Sequence, residues 1–311
     1  MKKKVVIIIF VVFIVFWGLY FINNLSKNAP SKQFQSLIEQ KHNQQLQNHI
    51  DFKNAKTLKE ATEFGDKYLG IKMYTGFSEE NLDAINWVNE AIVNVINRTK
   101  GKAYTPFAIH LDKSFREIAS GMVNFSGLKD KELQNSIGDE GVLIINRNTI
   151  TRYRTKAQQI VLESKMSAEE KNRYLAAIKL NNAYARMIYI NYLKSNPKEL
   201  KKVSKGKKVF LTPYSDIYHE MGHLQHQKNI YIELYRALGK SWQKPKKYAT
   251  EANELIALFN NSKNTTSLVS SYATASPLEF VAEVYCMLIY NIQMPKEVMD
   301  LYLKLGGVTI D

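Results

Sequence analysis

Eighteen residues, from Val5 to Ile22, follow one another without a charged side chain. As a helix that run is about 27 Å long, close to the roughly 30 Å hydrocarbon thickness of a bilayer. No other feature constrains the chain as much, because an apolar surface of this size is not left in water. Lys2, Lys3 and Lys4 precede the run, and Trp17 and Tyr20 sit near its far end, where interfacial aromatics belong. The lysines place the N-terminus in the cytoplasm and everything beyond Ile22 outside. The run exceeds a usual signal-peptide core and no A-x-A-like site follows it. An uncleaved single-pass anchor is therefore preferred over a cleaved leader that would release a secreted protein.

The rest of the 311 residues suffice for one large domain or two small ones. The chain carries 43 basic and 29 acidic residues, a net +14. Such a balance points to nucleic acid, an anionic membrane surface or an acidic polymer. The excess is mostly lysine, with no interleaved Arg and aromatic stripe, which argues against nucleic acid and leaves an anionic surface polymer as a partner class. Cys286 is the only cysteine, so no disulfide framework is available. It lies in the apolar run EVYCMLIY and reads as a buried, inert thiol.

Residues 23–56 read as a polar stalk, since eight of the twenty residues from Ser31 to Ile50 are Asn or Gln. Phe34, Leu37 and Ile38 have helical spacing and predict a short juxtamembrane helix, with His42 and His49 solvated. The folded domain is expected over 57–311. Leu82, Ile85, Val88, Ile92, Val95 and Ile96 recur at three- and four-residue steps and predict a helix closed by Gly101. Pro106–Leu111, Val142–Asn146 and Val209–Leu211 read as strands. Ser167, with Glu170 three residues on, caps a helix running to about Ser195. Residues 198–208 hold six lysines, which read as a solvated loop in preference to a patch for an acidic partner. Further helices are expected at about 215–238, 248–260, 277–291 and 296–305. Many helices with a few short strands indicate a predominantly helical α+β domain rather than a doubly wound sheet.

The sequence HEMGH occupies 219–223. Residues four apart lie on one helical face, about 6 Å apart along the axis, so His219 and His223 can reach a single ion. Glu220 faces the same cleft and can act as the base that activates water. Zinc catalysis needs a third protein ligand and an open position. His226, seven residues after His219, reads as a plain polar position. Glu233, continuing the same helix, is about 15 Å beyond His223 and too far. Glu251 and Glu254 stay open by spacing alone. Glu279 and Glu283 share a helical face, so one can bind metal while the other orients a histidine. Ser276-Pro277-Leu278-Glu279 also makes a sound helix start, with a Ser cap and Pro first.

HEMGH followed by SSYATASPLEFVAE resembles the catalytic core of the lethal-factor type of zinc metalloprotease. That family includes the anthrax lethal factor protease domain and the secreted clostridial Pro-Pro endopeptidases. Its pattern is HExGH, then Tyr, six residues, and Glu in an E-F-x-A-E-like helix. Tyr272 and Glu279 have that spacing and Glu279-Phe-Val-Ala-Glu283 matches the helix. The resemblance implies a zincin-like fold, with His219, His223 and Glu279 binding Zn2+, Glu220 as the base and Tyr272 stabilising the transition state. Glu283 is then expected to accept the outer N–H of a ligating histidine. The gap from His223 to Glu279 is longer than is usual in the family, suggesting an insertion near 260–267.

The resulting expectation is a membrane-tethered, extracellular zinc endopeptidase acting on a protein or peptide substrate. A non-catalytic surface module that binds an anionic wall polymer or a partner protein is the alternative.

Overall fold

The computed structural model describes residues 30–112, 119–121, 140–146, 156–180, 214–239 and 248–310, with 188, 192, 195 and 196 singly. The apolar run 5–22, the lysine-rich stretch 198–208, the strand expected at Val209–Leu211 and most of the helix expected between Leu180 and Ser195 lie outside them. Among the described residues, no helix is long and apolar enough to cross a membrane.

The protein is predominantly helical, with one small sheet. In chain order, α1 spans Pro30–His42 and α2 Leu58–Leu69, followed by β1 at Met73–Thr75 and α3 at Leu82–Arg98. Then come β2 (Ala108–Asp112), β3 (Ala119–Gly121), β4 (Val142–Asn146) and α4 (Ala168–Leu180). Among the described residues, the second half forms helices: α5 (Ser215–Asn229), α6 (Ile232–Leu238), α7 (Ala249–Asn261), α8 (Lys263–Ser267), α9 (Pro277–Ile289) and α10 (Lys296–Lys304). The strands lie in the order β1-β2-β4-β3. The first three are parallel and β3 closes one edge antiparallel to β4. β1 and β3, at three residues each, escaped the sequence reading because they are too short to show alternation. The stretch 263–267, read as part of an insertion, is the short helix α8 with Thr266 buried.

Period-two alternation divides the sheet into two faces. Ile109, Leu111, Leu143 and Ile145 join Trp87, Val88, Ile92, Val95 and Ile96 of α3 and Ile217, Met221 and Leu224 of α5 in the main core. Phe107, Ala108, Val142 and Ile144 form a second cluster, covered by Leu37 and Ile38 of α1.

That cover corrects the stalk expected over 23–56. Lys41 Nζ donates to Gly70 O at 3.0 Å, Thr105 Oγ1 at 3.1 Å and Pro106 O at 3.4 Å. His42 is exposed, as read, and also pairs with Glu140 at 2.9 Å. Ile50 is buried and exchanges backbone bonds of 2.7 and 2.9 Å with the Asn97 amide. The folded part thus begins well before Thr57. Its Asn and Gln content misled because those amides bond across the chain, as Gln44 does to the Asp66 and Lys67 carbonyls.

α5 is the central strut. Twelve of its fifteen residues are buried, so it lacks the solvent-facing side of an ordinary amphipathic helix. Gln225 anchors it beside the sheet by bonding both the N–H and the carbonyl of Tyr104, each at 2.8 Å. On its other side α5 crosses α9. A Cβ at Gly222 would stand 2.9 Å from Ala282 Cα and 3.0 Å from its carbonyl oxygen. The glycine is therefore what lets the two helices approach this closely. Gly222→Ala is expected to cost about 1–3 kcal/mol of stability, the range for overpacking a filled interior. It should also weaken metal uptake, because it moves α9 away from α5. Unchanged denaturant midpoint and unchanged zinc affinity would refute the close crossing.

Candidate metal centre

Four segments meet where α5 crosses α9. α5 supplies His219, Glu220 and His223, all buried. α9 supplies Glu279 in its first turn and Glu283 one turn on. The helix start is as expected: Ser276 accepts the Glu279 N–H at 3.2 Å and Pro277 is first. The Glu279 side chain, however, does not close a capping box but turns to the histidines. Just before α9, a 3-10 turn at Tyr272–Thr274 brings the Tyr272 ring to 5.7 Å from that of His219, centre to centre. The turn is ordered rather than a mobile loop: Ala275 N–H bonds Tyr272 O at 3.0 Å and Ala273 N–H bonds Ser270 Oγ at 3.0 Å.

Three donor atoms converge. His219 Nε2 is 3.0 Å from Glu279 Oε2, His223 Nε2 is 3.5 Å from that oxygen, and the two Nε2 atoms are 3.1 Å apart. Bonds of about 2.0–2.2 Å to a tetrahedral ion set donor separations of about 3.3–3.6 Å. His219, His223 and Glu279 could therefore hold a metal ion. The outer nitrogens fit the same purpose. His219 Nδ1 faces Glu283 Oε1 at 2.6 Å, and His223 Nδ1 faces Tyr235 Oη at 3.3 Å. Glu283 and Tyr235 Oη can accept the Nδ1–H of His219 and His223, an arrangement that would leave each Nε2 lone pair to a metal ion.

The site draws positive charge. Burial works to lower the pKa of His219, but hydrogen bonds to Glu279 and Glu283, with the charges of Glu220 and Glu283, outweigh it and lift it to about 9. Burial likewise raises Glu279, yet its bonds to His219 and His223 hold it well below the ordinary carboxylate range. Both shifts describe an ionised carboxylate beside a cation, the role a metal ion would take. Burial and the charges of Glu220 and Glu279 push Tyr235 far up, so its phenol stays neutral against His223.

Glu220 stands apart from the three ligands. It lines a small cavity with Met221 and Leu224 of α5 and Pro106, Gly141, Val142 and Leu143 beside β4. Glu251 and Glu254, left open by spacing, are exposed on α7 and take no part in the cluster.

Three residues were missed or misread from sequence. Helix 215–238 is two helices, because the chain turns extended at Ile230 and Tyr231. No Pro or Gly marks the break. It is held by Asn229 Nδ2 on Gly306 O at 3.0 Å, a contact 77 residues away. The turn puts Glu233 on α6, off the histidine helix, and folds Tyr235 back onto His223. Ser270 was unmarked: its hydroxyl donates to Glu283 Oε2 at 2.7 Å.

His226 is neither a ligand nor a solvated polar group. It is completely buried, with Nε2 donating to Leu305 O at 2.8 Å. Burial pushes its pKa from 6.5 to about 3, against the Leu305 carbonyl and with the help of His223. In the unfolded chain it titrates near its ordinary value of about 6.5. Between those values the unfolded chain holds a proton that the folded one does not, so stability is lost as pH falls through that window. One proton accounts for at most about 1.4 kcal/mol per pH unit. His226→Gln keeps a donor for Leu305 and should flatten the loss between about pH 6 and 4 in urea titrations; parallel curves for the two proteins would refute this.

Comparison with family models, with curated proteins and with solved structures finds no match for the chain.

Proposed function

We propose that this chain is a membrane-tethered zinc endopeptidase of the lethal-factor type, its catalytic domain outside the cytoplasmic membrane. The observation that carries the reading is the convergence of His219, His223 and Glu279 on one point, beside a buried Glu220 and next to Tyr272. Two imidazoles and one carboxylate are a donor set that zinc takes in hydrolytic sites, with the remaining position left open. Bound there, zinc would supply Lewis acidity, polarising a peptide carbonyl and acidifying water.

The chain's own groups do the rest. With a metal bound, His219 and His223 would offer it their inner nitrogens, while Glu283 and Tyr235 stand at the outer ones to accept the Nδ1–H. Glu220 accepts the proton of the attacking water and passes it to the departing amine. Tyr272, held in its 3-10 turn, donates its hydroxyl to the oxyanion as charge builds, an interaction worth about 3 kcal/mol. Val142 and Leu143 line the same small cavity as Glu220 and give it an apolar wall.

The test uses the full-length chain in detergent with a mixed peptide library. Cleavage that a chelator stops and zinc restores supports the proposal. Binding to an anionic polymer with no cleavage at any stage would replace it with the surface-module reading. Protease added outside intact cells should digest everything beyond about Asn23, and full protection would overturn the orientation.

A further inference from the structure

We propose that Ser270 is a positioning residue, whose hydroxyl ties the turn carrying Tyr272 to the carboxylate that orients His219. The inference rests on the metal-site reading above.

A serine hydroxyl has one hydrogen to give and two lone pairs to receive. Ser270 gives its hydrogen to Glu283 Oε2 at 2.7 Å and receives the Ala273 N–H at 3.0 Å. Glu283 has no exposed surface, and its other oxygen meets His219 Nδ1 at 2.6 Å. The connection therefore runs from the backbone of the residue after Tyr272, through one hydroxyl and one buried carboxylate, to a ligand imidazole. It crosses three separate segments: the 3-10 turn, α9 and α5. A buried carboxylate requires donors to keep its charge and its orientation. Ser270 is one of these, and its own position is set by the turn. A displacement of the turn thus displaces both the Tyr272 hydroxyl and the Glu283 carboxylate. His223 has no equivalent link to that turn, since its outer nitrogen faces Tyr235 of α6 at 3.3 Å. The simpler role for Ser270, a cap on a short turn, uses only the Ala273 bond. It leaves the 2.7 Å contact with Glu283 without purpose, and it predicts no effect on the metal.

The experiment measures zinc affinity by chelator competition on the full-length chain in detergent, for wild type, Ser270→Ala and Ser270→Thr. Loss of a partner behind a metal-binding histidine weakens affinity by about 10–100-fold. Ser270→Ala is expected to show about 10-fold, with Ser270→Thr recovering most of it. With Co2+ in place of zinc, the visible absorption should shift in Ser270→Ala and return in Ser270→Thr. Where peptide cleavage is found, Ser270→Ala should lower kcat more than it changes KM. Its penalty should shrink in a Tyr272→Phe background, since neighbouring residues acting together are not additive. Ser270→Ala with wild-type zinc affinity and an unshifted Co2+ spectrum overturns the proposal, as do equal losses in the Ala and Thr variants. A wild-type chain that binds zinc but cleaves nothing sinks the protease reading alone, and the zinc and Co2+ measurements still decide Ser270. A wild-type chain that takes up no zinc sinks both.

Discussion

Glu220→Ala is expected to lower kcat by about 10²–10⁴-fold, the usual contribution of a positioned acid–base group, while the metal stays bound. The two halves of that outcome have separate causes. Retention of metal follows from geometry, since the converging donors are His219, His223 and Glu279 and Glu220 is not among them. Loss of turnover follows from chemistry: without a carboxylate beside the cavity, nothing on α5 accepts the proton of the attacking water. Glu220→Gln should behave alike, because it keeps the shape and the buried packing and removes the basicity. Zinc content by atomic absorption, kcat on a cleaved peptide and the thermal midpoint together decide the matter. Zinc lost together with unfolding would assign Glu220 a structural part in place of the catalytic one.

Glu279→Gln is expected to weaken zinc binding by more than about 100-fold, beyond the upper end of what loss of an outer partner costs. Glu251→Gln and Glu254→Gln should leave affinity unchanged. The glutamine keeps the length of the side chain and the Ser276 cap, so the change isolates the charged oxygen that meets both imidazoles at 3.0 and 3.5 Å. Glu283→Gln provides the internal comparison. It faces the opposite side of His219, at Nδ1, and should cost affinity only within the 10–100-fold range. Retained affinity in Glu279→Gln, or a larger loss in either α7 variant, would remove Glu279 from the ligand set.

Local signals in the chain were read correctly where structure is set by neighbours. The spacing in HEMGH puts both histidines on one face of α5. Ser276 and Pro277 start α9, and Ser167 with Glu170 caps α4 through reciprocal bonds of 3.0 and 3.3 Å. Cys286 is buried, as its apolar surroundings required. The short apolar run at Val142–Asn146 marks β4 to the residue. Each depends on dihedral preference or period within a few residues, so a linear reading suffices.

What the linear reading could not supply depends on contacts far apart in the chain. Glu279 and Glu283 share a helical face and either could have been the ligand. The resemblance picks Glu279, and it is the crossing of α5 and α9, close at Gly222 and Ala282, that brings its carboxylate to the inner imidazole nitrogens. The polar stretch 36–56 carries no sign of burial, yet Leu37 and Ile38 pack on the sheet, Ile50 is buried and bonded to Asn97, and Lys41 and His42 bond Thr105 and Glu140. No Pro or Gly near Ile230 marks a break; the chain turns there with Asn229 bonded to Gly306, and that turn sets Tyr235 against His223. The sequence by itself therefore determined the histidine pair, the buried Glu220 beside it and the carboxylates able to reach it. The tertiary structure brings Glu279 to the histidine pair and sets Glu283 and Tyr235 behind the imidazoles, Tyr235 and Ser270 without any signal in the sequence, because those contacts join residues with no local preference for one another.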